Sequence, residues 1–179
     1  MPTVESSDRD AATDAFQRVA QVYCATINTC GQVPANRFLV AIHRQLVDVY
    51  GRVLVLPPSD EIHPGDEESA HPSNTSPGLD SGAIEYEALT DQLGDNRWYF
   101  EVFDPWELDD NQAVAGDLAD DLWDVYSGLR AGLELWSQGM RESALWEWRF
   151  GFESHWGEHV TGAIRALYML ARRHDGLWG

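Results

Sequence analysis

The amino-acid sequence predicts an all-α protein, a single-domain bundle of about five helices with a disordered or mobile internal linker. Apolar residues recur at steps of three and four along most of the chain, which is the spacing of one face of an α-helix. A length of 179 residues with 44% hydrophobic residues supports one well-packed domain and is too short for two of ordinary size. We therefore expect residues 1–179 to form one helical domain.

The first two helices are predicted to form a hairpin over residues 8–56. Apolar residues keep the helical spacing along the first helix until Gly31 and Pro34 end it. The second helix begins near Asn36 and stops at Pro57 and Pro58, because proline lacks the amide hydrogen that would continue the helix. Two helices joined by so short a turn form a helical hairpin.

Residues 57–82 are predicted to be a flexible linker. The segment consists mainly of Pro, Ser, Asp, Glu and Gly, with hardly an apolar side chain. Such a composition cannot bury enough apolar surface to offset the entropy that a chain loses when it becomes ordered. We therefore expect this segment to lie at the surface, outside the helical core.

Three further helices and an aromatic loop are predicted over residues 83–174. The aromatic run at 98–106 has the composition of a strand, but it stands isolated among helices and has no predicted partner, so we expect an extended loop there. Asp117 can cap the helix that follows this loop. The last helix runs from about Arg141 to Arg173, which corresponds to a length of roughly 50 Å.

The composition excludes several classes of function. A formal net charge of −18, from 30 acidic and 12 basic residues, repels phosphate backbones and anionic lipids, so neither nucleic-acid nor membrane binding is expected. The sequence has no apolar stretch of the roughly 20 residues that a membrane span needs, and its N-terminus does not resemble a signal peptide, so we expect a cytoplasmic protein. A protein partner or a homo-oligomer stays open, and mimicry of nucleic acid is a weaker alternative.

Cys24 and Cys30 match neither a disulfide framework nor a zinc-finger spacing, and we expect both to be buried.

Three segments of the sequence resemble the successive signatures of one bacterial family. They are Tyr99–Pro105, Gly116–Tyr126 and Ala144–His159, of which the last is the most specific. The first hairpin is similar to the opening of that family, so the resemblance spans nearly the whole chain outside the linker. The family is known as domain of unknown function 5063. The resemblance implies an all-helical fold and implies no established activity.

The last predicted helix carries ionisable residues at the edge of its apolar stripe. At 100° per residue, these residues fall inside or beside the stripe that Leu145 begins, where burial of an unpaired charge is costly. The predicted polar cluster comprises Arg149, Glu153, His155 and His159, together with Glu101 and Asp104 of the aromatic loop. In the structural interpretation, Arg149 pairs with Glu153 and the histidines bond to the loop carboxylates or to backbone carbonyls. The cluster would then join the loop to the helix.

The alternative interpretation of the cluster is a metal site. His155 and His159 lie four residues apart on one helix face and can bind one divalent transition metal, with Glu153 as a third ligand. Upstream acids could replace Glu153 in this role; they are Glu101, Asp104, Asp120 and Asp121. Residues 155–159 also spell the inverted zinc-peptidase motif, but that motif needs a further carboxylate downstream, where Asp175 is the sole acid.

The sequence contains no other catalytic template. It has no glycine-rich phosphate loop and no nucleophile elbow, so we assign no catalytic residue and no cofactor, and an enzymatic role is not favoured. Four aspartates, Asp117, Asp120, Asp121 and Asp124, are interpreted as a solvated helix start that the helix dipole stabilises. The favoured hypothesis is an acidic helical-bundle protein that acts through protein–protein contacts. The alternative is a metal-binding protein or a metal-dependent enzyme.

Overall fold

The computed structural model of the chain describes residues 4–59, 79–102, 106 and 112–173, together with their side chains except at 4–7 and 79–84. The elements in chain order are α1 (Val4–Asn28), α2 (Ala35–Val53), α3 (Leu79–Leu93), β1 (Trp98–Glu101), β2 (Val114–Asp117), α4 (Leu118–Ser137), α5 (Arg141–Gly151) and α6 (Gly157–Arg173). A π-helical turn, Phe152–Trp156, joins α5 to α6. The predicted all-α class is confirmed, with one small sheet added to it.

Helix α4 lies at the centre of the bundle. It packs against α1, α3, α5 and α6, while α1 also packs on α2 and α2 on α6. The core is therefore built from the apolar faces that the periodicity predicts. Its largest fully buried side chains are Trp148, Trp156, Tyr23, Phe16 and Phe38. Cys24 and Cys30 are buried and free, as expected from their spacing.

Two tryptophans fit against glycines on α4. A β-carbon added at Gly132 would lie 2.1 Å from Trp148 Nε1, and one added at Gly128 would lie 2.3 Å from Trp156 Cδ1. Trp148 Nε1 also donates a hydrogen bond of 3.0 Å to the backbone oxygen of Leu129. The absence of side chains at these two positions lets α5 and the π-helical turn that follows it lie close to α4. This packing determines which faces of these elements meet.

The expectation of a loop without a strand partner at 98–106 is wrong for its first four residues. Strand β1 pairs antiparallel with β2, with Trp98 opposite Asp117 and Glu101 opposite Val114. The partner is a short segment directly before α4 that has too few apolar residues to be recognised as a strand from its pattern. Alternate residues of β1 face opposite sides of the sheet, so Trp98 and Phe100 are exposed while Tyr99 and Glu101 are partly buried.

The predicted linker over 57–82 falls mostly outside the described residues, which resume at 79. Helix α3 begins at Leu79, four residues ahead of the predicted boundary at 83. Within the described ranges, no helix combines the length and the apolar character needed to cross a lipid bilayer.

The last helix is not the uninterrupted α-helix predicted from Arg141 to Arg173. In its π-helical turn, the amide of Gly157 donates to the carbonyl of Phe152, five residues earlier instead of four. A β-carbon at Gly157 would lie 2.4 Å from that carbonyl oxygen, so the wide turn depends on glycine at this position. His155 lies in the π turn and His159 lies just after it. Turns of this kind are frequent at functional sites.

Candidate metal centre

The start of α4 is held firmly in place. Asp117 caps the helix, because its side chain accepts a hydrogen bond of 3.0 Å from the amide of Ala119. Arg97, from the segment that leads into β1, forms a two-pronged ion pair with the same carboxylate, with Arg97 Nε 2.6 Å from Asp117 Oδ1. Two-pronged pairs of this kind fix geometry as well as charge. The helix turn that follows, with Asp121 and Asp124, is therefore well positioned.

His159 of α6 lies between two carboxylates of α4. Its Nδ1 is 2.9 Å from Asp121 Oδ1, and its Nε2 is 3.2 Å from Asp124 Oδ2. The hydrogen bond to Asp121 raises the pKa of His159 above its usual value, against the opposing effect of burial, and the charge of Asp124 adds to the increase. A histidine bound in this way has a fixed ring orientation.

Asp121 is a buried carboxylate with both oxygens in use. Asp121 is only 6% exposed, and its Oδ2 accepts a hydrogen bond of 2.7 Å from the hydroxyl of Tyr99. The same hydroxyl lies 3.2 Å from Glu101 Oε2. Burial and the hydrogen bond to Asp121 raise the pKa of Tyr99, so this hydroxyl keeps its proton and donates a hydrogen bond to Asp121. A chain of contacts thus links Glu101, Tyr99, Asp121 and His159.

His155 completes a group of three possible metal ligands with Asp124 and His159. His155 Nε2 lies 3.9 Å from Asp124 Oδ2, and the two imidazole rings are 5.1 Å apart. Each of the three residues offers one ligand atom, and these atoms all lie within 4.8 Å of one another, the single such group among the described residues. Burial raises the pKa of Asp124, while His159 lowers it. His155 itself is exposed, so the site opens to solvent.

Arg149 and Glu153 form a separate pair. Arg149 Nη2 lies 3.2 Å from Glu153 Oε1, as the four-residue spacing predicts, and Arg149 Nη1 donates to the backbone oxygen of Leu56. The Glu153 side chain is 64% exposed and is not part of the three-residue group. The carboxylate beside the histidines is that of Asp124, not that of Glu153. The predicted polar cluster therefore does not form one group. Arg149 and Glu153 pair with each other, while His155 and His159 lie beside Asp124.

The contacts between the histidines and the aromatic segment also differ from the prediction. Glu101 reaches His159 only through Tyr99 and Asp121, and Asp104 lies outside the described residues. The interpretation of the α4 aspartates as a solvated helix start is wrong for Asp121, which is buried. A signal for this was available, because Leu118, Leu122 and Val125 surround position 121 at steps of one to four and share its helix face.

A cavity of about 350 Å³ lies beside His159. Helix α6 forms one wall with Glu158, His159, Gly162 and Arg165, and the end of β1 contributes Glu101. The buried Asp121 also lines this cavity. His159 therefore belongs both to the three-residue group and to the cavity wall, whereas Asp124 and His155 do not line the cavity.

Comparison with known proteins places the fold. Residues 7–173 match the model of a family described as "Domain of unknown function (DUF5063)". The chain is also similar to the crystal structure of protein BF1032 from Bacteroides fragilis, a structural genomics target, with a TM-score of 0.71 and 19% sequence identity. This alignment covers 93% of this chain and 94% of that chain. At such identity the likeness supports the fold alone. No curated protein matches the chain.

Proposed function

The chain belongs to the DUF5063 family of domains of unknown function, and from the geometry of its site we propose that it binds a divalent transition metal through Asp124, His155 and His159. The observation that carries the proposal is the convergence of two imidazole nitrogens and one carboxylate oxygen within 4.8 Å. Nitrogen and oxygen ligands lie about 2.0–2.2 Å from Zn²⁺, which places them roughly 3.3–3.6 Å apart in a tetrahedral site. The distances of 3.2 and 3.9 Å from Asp124 Oδ2 to the two histidines fall on either side of this range.

Asp121 supports the proposal as an outer partner of the metal ligand His159. When a histidine binds a metal through one nitrogen, its other nitrogen commonly donates to a carboxylate, which fixes the tautomer and strengthens the ligand. His159 Nδ1 contacts Asp121 at 2.9 Å, and this leaves Nε2 directed at Asp124. Tyr99 in turn holds the other oxygen of Asp121. This arrangement orients the ligand before any metal arrives.

The donor set indicates the class of metal. Imidazole nitrogens suit Zn²⁺, Fe²⁺, Co²⁺, Ni²⁺ and Cu²⁺, whereas Mg²⁺ and Ca²⁺ prefer oxygen ligands. Three protein ligands leave at least one coordination position for water or substrate, as in catalytic sites and unlike closed structural sites. The exposure of His155 is consistent with an open position.

Protons and metal compete for Nε2 of His159. Without metal, a protonated His159 would form ion pairs with both Asp121 and Asp124. Because these carboxylates raise the pKa of His159, we expect metal affinity to fall as the pH is lowered through that pKa, and metal binding near neutral pH to release a proton. Calorimetry in buffers of different ionisation enthalpy measures the proton release.

The decisive experiment titrates chelator-treated protein with Zn²⁺ or Co²⁺ and counts bound metal by elemental analysis. We expect one equivalent for the wild-type protein. The variants His155→Ala, His159→Ala and Asp124→Asn should each weaken binding by more than about 100-fold, because losing a direct ligand exceeds the cost of losing an outer partner. Glu153→Gln is the matched control, and it should bind like the wild type. The proposal fails if the wild type takes up no stoichiometric metal, or if Glu153→Gln is as damaging as Asp124→Asn.

A second candidate function is protein binding through the exposed face of β1. Trp98 and Phe100, two residues apart on the same face, are 61% and 76% exposed. The guanidinium of Arg97 lies 4.9 Å from the ring centre of Trp98, a distance at which a cation and an aromatic ring attract each other. Together with the net charge of −18, the exposed rings favour a basic protein partner.

An arginine-rich peptide tests this candidate, with titration followed by tryptophan fluorescence or calorimetry at two salt concentrations. The double variant Trp98→Ala, Phe100→Ala should bind more weakly than the wild type at both. Phe150→Ala serves as the control, because Phe150 is an exposed aromatic residue of α5 and is not part of the sheet. Equal binding by all three proteins would show that net charge alone attracts the peptide and would remove the case for this face.

A further inference from the structure

The cavity beside His159 lies over a glycine of α6. A β-carbon added at Gly162 would lie 2.7 Å from the hydroxyl oxygen of Tyr99 and 3.2 Å from Glu101 Oε2. The end of β1 therefore approaches the backbone of α6 directly at Gly162. This close approach places the Glu101 carboxylate at the cavity wall.

Charges of opposite sign line the cavity along α6. Glu158 lies one turn before Gly162, and Arg165 lies three residues after it. Arg165 lies seven positions after Glu158, which is about 10 Å along the helix axis. Both side chains line the cavity, with Glu101 opposite them on β1. Along α6, the cavity wall is thus negative at the Glu158 end and positive at the Arg165 end, with Glu101 beside Gly162 between them.

The charges at these ends are not neutralised by each other. Asp121 is already bound by Tyr99 and His159, so it is not available to a ligand. Arg165 makes no ion pair or hydrogen bond with any other residue in the described parts of the chain, although Glu101 lies at the neighbouring Gly162. The unpaired guanidinium and the carboxylates therefore face a common space.

We infer that this cavity binds a small zwitterion, a molecule that carries both a protonated amine and a carboxylate. A guanidinium pairs well with a carboxylate, and the carboxylates of Glu101 and Glu158 would take the amine. An anion without an amine would be repelled by the two glutamates, and a simple cation would leave the guanidinium of Arg165 without a partner. A volume of about 350 Å³ suits an amino acid or a dipeptide. This inference does not depend on the metal, although a bound zwitterion would lie beside His159.

Calorimetry on the chelator-treated protein, after dialysis that removes the chelator, tests the inference. The zwitterionic probes are glycine, 4-aminobutyrate and glycylglycine, and the singly charged probes are acetate and methylammonium. We expect saturable binding of at least one zwitterion and binding at least about tenfold weaker for acetate and methylammonium, since each of these probes lacks one of the two charged groups that form hydrogen bonds with the cavity wall.

Variants of exposed residues separate specific binding from general charge effects. Arg165→Gln and Glu158→Gln should each weaken the zwitterion by about tenfold or more. Arg172→Gln, the same charge change two turns further along α6, should leave binding unchanged. His155→Ala should retain the zwitterion even if it loses metal, so the two proposals can fail separately. The inference is overturned if none of the three zwitterions binds, if acetate binds as tightly as they do, or if Arg165→Gln binds like Arg172→Gln.

Discussion

At the scale of single residues, four aspartates at the start of α4 have four different environments. Asp117 caps the helix and pairs with Arg97, Asp120 is exposed, Asp121 is buried, and Asp124 is half-buried beside two histidines. Their place along the helix axis and their angle around it both distinguish them: Asp117 precedes the first turn as its cap, Asp124 lies about one turn beyond Asp121, and the step of about 100° from Asp120 to Asp121 changes the surroundings from solvent to core. The same residue type therefore serves as cap, surface charge, outer partner and proposed ligand.

Asp121 and Asp120 make a matched pair for testing the outer-partner role. Asp121→Asn should weaken Zn²⁺ or Co²⁺ binding by about 10–100-fold, the usual cost of losing the partner of a metal-bound histidine. Asp120→Asn removes the same charge from an exposed position and should have a much smaller effect. Metal titration of both variants measures the difference. Similar losses in the two would mean that Asp121 acts only through its long-range charge.

His43 on α2 should make stability depend on pH. His43 is buried, and burial lowers its pKa below the usual value. The unfolded chain then binds a proton at a higher pH than the folded chain does, so the contribution of His43 to the free energy of unfolding is present above about pH 6.5 and is lost as the pH falls from there towards the folded-state pKa. Urea unfolding of the wild type and of His43→Gln at several pH values isolates this contribution. A stability difference between them that does not shrink in acid contradicts the prediction.

At the scale of elements, the π-helical turn affects the prediction made for the last helix. It explains why a regular rotation of about 100° per residue predicts the apolar stripe that Leu145 begins better than it predicts the positions of the polar residues. Trp148, Phe152, Trp156 and Val160 follow one another at steps of four, which would drift around a regular α-helix by about 40° per step. The wider π turn at Phe152–Trp156 counteracts this drift. Three of these four residues are fully buried and Phe152 is partly buried, while Glu153 and His155 within the turn are exposed.

The contact between helices α4 and α5 is the helix–helix contact most sensitive to an added side chain. Alanine is the better helix former by about 1 kcal/mol, yet Gly132→Ala should destabilise the protein by about 1–3 kcal/mol, because its β-carbon would overlap Trp148. Gly51→Ala on α2 is the control, since no atom lies within 4 Å of the added β-carbon. It should be neutral or slightly stabilising. Equilibrium unfolding in urea compares them, and equal stability of the two variants would argue against the close fit.

At the scale of the whole molecule, the excess of negative charge acts against the fold. The sequence carries 30 acidic and 12 basic residues, and such an imbalance destabilises a compact state through self-repulsion. Salt screens this repulsion over about 10 Å at 0.1 M and about 3 Å at 1 M. We expect the melting temperature of the chelator-treated protein to rise with NaCl concentration across this range. A melting temperature that is constant or falls would show that the favourable ion pairs outweigh the repulsion.

The sequence by itself determined the helical class and most of the core. Periodic apolar residues and the proline and glycine stops reflect interactions within a few residues of each other, which a linear pattern records. The pair Arg149–Glu153 was predictable for the same reason, since both residues lie on one helix turn.

Only the tertiary structure decided how the site is composed. Strand β2 is recognisable by its partner β1 and not by its own four residues. Asp124 lies more than thirty positions before His159, and it comes within 3.2 Å of that histidine because Trp148 and Trp156 fit against the glycines of α4. Contacts across such a sequence distance depend on the packing of whole helices. For this reason the histidine pair could be identified from the sequence and Asp121 could be named among several candidate acids, whereas the choice of Asp124 as the carboxylate beside both histidines and the cavity with charges of both signs could not be predicted.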